Sequence, residues 1–309
     1  ALTDIDKQNI RLAAELDADF LAVSFVRSAD DVIEARRLFR EAGGEGLIVA
    51  KIERTEAVEN IDSIIEASDI IMVARGDLGV EMGYAVLTGI QKKLIRKTRK
   101  ANKIVITATQ MMESMIQNPI PTRAEVSDVA NAVIDGTDAV MLSGETAVGK
   151  YPVEAIAAMS EVCLGAEKFP LPHGGTTHRM NDRFERVDEA IAMATMYTAN
   201  HMRVKAIIAL TESGSTTRWM SRIRSDIPIY AFTMHESTRR RVALYRGVFP
   251  VSFAINLENP KRLYQDIFNT LLYYKLVDVD DLVIFTKGDA DNVSGTTNAM
   301  KILQVKKEE

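Results

Sequence analysis

Five short runs, residues 19–24, 46–52, 69–74, 103–107 and 138–142, are nearly all apolar and rich in β-branched side chains. A strand with one wet face alternates polar and apolar residues. Runs without that alternation predict parallel strands covered on both faces. Parallel neighbours need long crossovers between them, and stretches of helical length such as 31–41, 84–101 and 125–134 supply these. Thr122 followed by Glu125, with Pro121 just before, predicts a capping box at the start of the last of these helices. Repeated βα units of this kind predict a parallel α/β domain.

Around residues 164–187 the pattern gives way to PLPHGGTTH, which reads as a linker or exposed hairpin. A second alternating set follows: a helix near 188–201, a strand at 206–210, a helix at 216–225 and a strand at 229–233. A helix at about 260–274 and late strands near 281–286 and 300–305 complete it. The expected organisation is therefore a first α/β domain at 1–164, a linker at 165–186 and a second α/β domain at 187–309. A chain of 309 residues is long enough for two domains.

Composition narrows the partners. At 47% hydrophobic and 26% charged the chain reads as globular, and a net charge of -5 argues against a nucleic-acid partner. No apolar run approaches the roughly 20 residues that span a bilayer, so no membrane partner is expected. A single cysteine, Cys163, excludes an internal disulfide framework and fits a cytoplasmic setting.

Charged residues stand at or near the ends of the apolar runs, and those at the carboxyl ends are the candidates for chemistry. In Ile48-Val49-Ala50-Lys51-Ile52-Glu53, Lys51 and Glu53 are two apart and so project to the same side of their strand. The carboxyl end of a parallel strand is where barrels and open sheets place their sites. The same spacing also reads as a buried structural ion pair. The next run ends Arg75-Gly76-Asp77-Leu78-Gly79, either a simple turn or a second contribution to the same rim. Neighbouring strands lie about 4.8 Å apart, so Glu53 and Asp77 are expected to converge on one hard cation such as Mg²⁺. Gly76 lets the backbone approach a ligand closely. Thr109 and Ser143 end the following runs and read as phosphate or proton-relay hydroxyls, or as helix caps.

In the second domain, Thr211, Glu212, Ser213, Gly214, Ser215 and Thr216 follow a strand and open a helix. Free N–H groups and hydroxyls at such a start make an anion site, and equally a hydroxyl-rich cap. Lys287 and residues 295–297 are candidates to close over the same ligand. The four histidines, His173, His178, His201 and His235, lack metal-ligand spacing and read as exposed or capping residues. Met111, Met112 and Met115 read as packing, and the Arg239, Arg240, Arg241 run as a solvated helix face.

The segments VAKIERTEAV, MVARGDLGVE, ITATQMMESM, NPIPTRAEVSDVANAVIDGTDAVMLSGETAVGKYP and SGTTN, in that order, resemble the pyruvate kinase family over essentially the whole chain. The variant resembles the bacterial type activated by AMP or sugar phosphates. It implies phosphoryl transfer from phosphoenolpyruvate to ADP, giving pyruvate and ATP. Lys51 matches the family's catalytic lysine, and Glu53 and Asp77 match its Mg²⁺ or Mn²⁺ ligands. Gly76, with Arg75 beside it, matches the backbone that meets the substrate carboxylate, and Thr109 the threonine at the enolate-protonation face. The loop at 211–216 matches the site of a phosphorylated effector, and the family implies a homotetramer.

The family's barrel is a TIM (β/α)8 barrel with eight strands and a lid inserted after the third. This chain is expected to supply strands four to eight, followed by the α/β regulatory domain, with most of the K⁺ site, much of the nucleotide pocket and the lid elsewhere. The first domain should then form an open arc with unpaired edges. Two other readings stand beside this one. One is a Mg²⁺-dependent lyase or aldolase acting on phosphoenolpyruvate or pyruvate, and the other a non-catalytic effector-binding fragment.

Overall fold

The computed structural model describes residues 2–168, 184–223, 225–254, 262–288 and 297–307. The chain forms two compact units, Ala1–Leu171 and Pro172–Glu309.

The first unit runs α1 (Asp4–Glu15), β1 (Phe20–Val23), α2 (Ala29–Glu41), β2 (Leu47–Ile52), α3 (Thr55–Glu59), α4 (Ile61–Ala67) and β3 (Ile70–Ala74). It continues through α5 (Arg75–Met82), α6 (Tyr84–Lys100), β4 (Ile104–Ala108), α7 (Arg123–Asp135), β5 (Ala139–Met141), α8 (Gly144–Ala147) and α9 (Pro152–Glu167). All five expected strands are present within one residue or so of the apolar runs. Helix α9 carries on through Glu167, past the start of the expected linker, most of which lies outside the described residues.

The sheet order is β1-β2-β3-β4-β5, every pair parallel. Strands β1 and β5 each have one neighbour, so the sheet is the open arc expected of part of a barrel. Ile48, Ala50 and Ile52 face outward, into one cluster with Val32, Phe39, Ile64, Leu94 and Ile95 of the surrounding helices. Fully burying each such side chain contributes about 1.5–3 kcal/mol, so this face anchors the strands. Because successive residues alternate, Val49 and Lys51 project from the other face, where Lys51 is level with Met72 and Met72 with Ile106. Edge strand β5 has no fully buried residue.

The capping box forms as expected: the Thr122 hydroxyl accepts from the Glu125 N–H, and the Glu125 carboxylate takes the Thr122 N–H at 2.7 Å. Glu125 also receives the Ser114 N–H at 2.7 Å and its hydroxyl at 2.6 Å. Partial burial pushes the Glu125 carboxyl up, but these hydrogen bonds outweigh it and hold the group below its ordinary value.

The second unit contains α10 (Val187–His201), β6 (Ala206–Leu210), α11 (Ser215–Ser221), β7 (Ile229–Thr233) and α12 (Glu236–Val242). It ends with β8 (Val248–Ser252), α13 (Leu263–Tyr273), β9 (Leu282–Gly288) and β10 (Thr297–Gln304). The order is β10-β9-β6-β7-β8, parallel except for β10 against β9. Two differences from the sequence reading stand out. Helix α11 stops at Ser221 rather than near 225, and β8 was not foreseen because Pro250 interrupts its apolar pattern. Among the described residues no helix is long and apolar enough to cross a membrane.

Candidate functional site

Strand β2 delivers Lys51 and Glu53 to one side, as the two-residue spacing requires. The Lys51 ammonium lies 2.7 Å from a Glu53 oxygen and donates to the Ser24 hydroxyl at 2.8 Å. Glu53 is 1% exposed, and its second oxygen accepts the Phe25 N–H at 2.7 Å. A carboxylate this deep is tolerated only when paired, and here both oxygens have partners. Phe25 itself has φ 53°, a left-handed conformation that turns its N–H toward the carboxylate.

Asp77 takes a different position from the strand-end turn considered above. Strand β3 stops at Ala74 and passes directly into α5, so Asp77 sits exposed in that helix's first turn, where an acidic residue suits the helix dipole. Glu53 and Asp77 thus come from the ends of adjacent strands, the one buried and already paired, the other facing solvent. Among the described residues no group of three or more His, Cys, Asp or Glu side chains forms a metal cluster.

Arg75 is the surprise. It is 5% exposed, and its guanidinium holds the carbonyls of Thr109 at 2.8 Å and Gln110 at 2.9 Å, with the Asp128 carboxylate at 2.5 Å and Gln91 at 3.3 Å. Its donors are therefore turned into the protein and hold the β4 turn. Thr109 and Gln110 both adopt left-handed backbone, φ 66° and 53°, immediately after β4. Two consecutive non-glycine residues there are strained, and the Arg75 contacts fix the carbonyls that this conformation aims inward. The Thr109 hydroxyl in turn accepts the Gly76 N–H at 2.8 Å, joining two of the predicted positions directly.

Sequence reasoning missed Glu145, inside the segment that carries Ser143. It is 2% exposed; one oxygen accepts the Met112 N–H at 3.0 Å and the other the Ser143 N–H at 2.8 Å. It ties the turn after β4 to the turn after β5. Ser143 precedes α8 without a side-chain capping bond. Met111, Met112 and Met115 are wholly buried, as the packing reading expects.

In the second unit the 211–216 loop is internally bonded. Thr211 hydroxyl accepts the Gly214 N–H at 3.0 Å, Ser215 donates to Asp188 at 3.2 Å, and Thr216 shares a 2.6 Å hydrogen bond with Thr297. The Glu212 carboxylate pairs with His235, and its carbonyl accepts the Thr238 hydroxyl at 2.6 Å. Gly214 has φ +79°, and a Cβ there would stand 2.5 Å from a Val242 methyl. Any other residue would meet both strain and a clash. Asp188 is 1% exposed; burial raises its carboxyl, but the bidentate Arg186 contact and the Ser215 hydroxyl more than reverse this, so it lies below its ordinary value. Of the residues considered for closing this loop, Lys287 is in β9, while residues 295 and 296 lie outside the described residues.

The sequence is similar to known proteins along its full length. The family model described as pyruvate kinase, barrel domain, matches residues 1–156, and that described as pyruvate kinase, alpha/beta domain, matches 189–303. The pyruvate kinase of Buchnera aphidicola subsp. Schizaphis graminum is 54% identical over 99% of this chain and 64% of its own length. Pyruvate kinase II of Salmonella typhimurium is 55% identical with the same coverage, and the Haemophilus influenzae pyruvate kinase 58% identical over 81% of this chain and 53% of its own. The chain therefore spans under two thirds of the length of these relatives. Its open parallel arc, its Lys51–Glu53 rim and the two matching domains lead to one conclusion: the chain belongs to the pyruvate kinase family.

Proposed function

We propose that this chain carries the phosphoryl-transfer rim of a cytoplasmic glycolytic pyruvate kinase, which passes a phosphoryl group from phosphoenolpyruvate to ADP to give pyruvate and ATP. The observation that carries the reading is the Lys51 ammonium, 24% exposed and 2.7 Å from the buried Glu53 carboxylate, on the sheet face turned away from the helices. A fixed cation beside a transferring phosphoryl stabilises charge spread over its oxygens, which is most of what such catalysis requires.

Each residue then has a role. Lys51 would hold the phosphoryl in flight, and Glu53, besides serving as a ligand, keeps that ammonium in place. Glu53 and Asp77 suit Mg²⁺ or Mn²⁺, being hard oxygen donors too few to enclose the ion, so substrate and water would complete the shell. Such an ion supplies neutralisation of phosphoryl charge. Gly76, at the start of α5, would let the substrate carboxylate approach the backbone closely, its own N–H being held by the Thr109 hydroxyl. Thr109 would pass a proton at the enolate face through its hydroxyl. Arg75 acts on substrate through the Thr109 and Gln110 carbonyls that it holds.

The K⁺ requirement, the homotetramer and activation by a phosphorylated effector at Thr211–Thr216 belong to the same proposal. Lys51→Met in the full-length polypeptide tests it. ATP formation from phosphoenolpyruvate and ADP should fall by at least about a hundredfold, the scale of losing one electrostatic group. Wild-type protein that makes or breaks a carbon–carbon bond on phosphoenolpyruvate without forming ATP would select the lyase reading instead.

A further inference from the structure

Residues 211–216 contain no basic side chain, and the one charged residue among them, Glu212, is acidic. A phosphate on this loop, the effector reading on which this inference rests, therefore needs a cation from elsewhere in the chain. The contacts of the loop show where one comes from. Thr211 takes the Gly214 N–H, and Thr216 bonds to the buried Thr297, so both hydroxyls are held within the fold. Ser215 differs. Its hydroxyl donates at 3.2 Å to one oxygen of Asp188, in the first turn of α10. Arg186 donates to that same oxygen through Nη2 at 2.9 Å. One acceptor atom thus brings a loop hydroxyl and a guanidinium together.

Asp188 fixes Arg186 without hiding it. The second Asp188 oxygen accepts Arg186 Nε at 2.9 Å and the Glu189 N–H at 3.1 Å. A carboxylate only 1% exposed requires such pairing, whereas the Arg186 side chain is 55% exposed. Nε and Nη2 are engaged on Asp188, while Nη1 has no partner among the described residues. The Asp188 and Glu189 carboxylates both favour the charged guanidinium, so it is a fixed cation.

We propose that Arg186 is a phosphate-binding residue of the 211–216 site. Nε stays on Asp188, and the outer N–H groups of the fork join the Ser215 hydroxyl in donating to phosphate oxygens. Charge-assisted bonds from a guanidinium fork suit a phosphate, and an arginine held at its inner edge loses little freedom in making them. Asp188 is the positioning residue, since it sets where the fork is offered.

The test is isothermal calorimetry on the full-length polypeptide with AMP and glucose 6-phosphate, which share a phosphate monoester and differ in what it is attached to. Arg186→Gln should weaken both about tenfold. That substitution also leaves Asp188 buried without its cation, so a second variant combines it with Asp188→Asn, which removes the stranded charge. The double variant should regain most of the thermal stability and still bind both ligands about tenfold more weakly than the wild type. Wild-type affinity in the double variant would make Arg186 a structural partner of Asp188 alone, and a loss confined to one ligand would mean that it reads something other than phosphate; either result overturns the assignment. Ser213→Asp, which places a carboxylate in the loop, should abolish binding of both. If it does so while Arg186→Gln changes nothing, the role of Arg186 fails and the loop reading stands. If it leaves binding intact, or if the wild type binds neither ligand, both fall together.

Discussion

Removing the Lys51 charge leaves Glu53 as a nearly sealed carboxylate with only the Phe25 N–H for company. Losing one partner of a fully buried pair costs about 3–5 kcal/mol; with Lys51 24% exposed, a loss on the order of 2 kcal/mol is expected for Lys51→Met. Adding Glu53→Gln should recover most of that stability in chemical denaturation, while ATP formation stays lost. Recovery of both together would reduce the pair to a structural device. Glu145→Gln belongs to the same scale. Its amide keeps one acceptor but sets an NH₂ group against the Met112 or Ser143 N–H, a mismatch worth about 1–3 kcal/mol. Amide exchange at residues 109–112 should quicken, and kcat should fall more than KM rises, because the turn that carries Thr109 loosens. Unchanged exchange there would dismiss the role. Lys51 and Glu53 were legible in the sequence because both the spacing and the burial cost act between neighbours. The contact of Arg75 with the Thr109 and Gln110 carbonyls was not, since it joins two strand ends and depends on backbone angles that no local pattern encodes.

The elements themselves were mostly readable. Short apolar runs gave the strands, and Thr122 with Glu125 gave a helix start, because both signals are local. Glu125 makes that start sensitive to pH. Its folded value lies below the ordinary 4.5, so its stabilisation is complete above about that pH and disappears as pH falls through the folded value. Glu125→Gln should therefore flatten the acid limb of stability against pH; an unaltered limb would show that the hydrogen bonds do not favour the ionised form. Strand β8 escaped notice for the reason that makes it useful: Pro250 breaks an apolar pattern and leaves an outward edge short of donors. Pro250→Val restores one N–H and a β-branched side chain. In the full-length polypeptide, sedimentation should then show concentration-dependent association beyond the wild-type assembly, and a variant that sediments like the wild type would mean that β8 needs no such guard.

At the scale of the molecule the two sheets differ in how they end. The first stops at β1 and β5 with one neighbour each, and β5 is nowhere fully buried. Expressed as these 309 residues, the protein is expected to self-associate and to form no ATP from phosphoenolpyruvate. Monodisperse protein with turnover would refute that. The openness of this arc was foreseeable only through the family resemblance, because strand count says nothing of closure. The second sheet sets a different problem, one of timing. Its central strand β6 has β9 as one of its two neighbours, with Ala206 level with Val283, and everything from α11 to α13 is made between them. At about 5–20 residues per second, translation leaves one side of an almost wholly buried strand open for seconds before its partner leaves the ribosome. Codon choice between β6 and β9, and the chaperones that meet the nascent chain there, should then govern yield more than any substitution in the finished core.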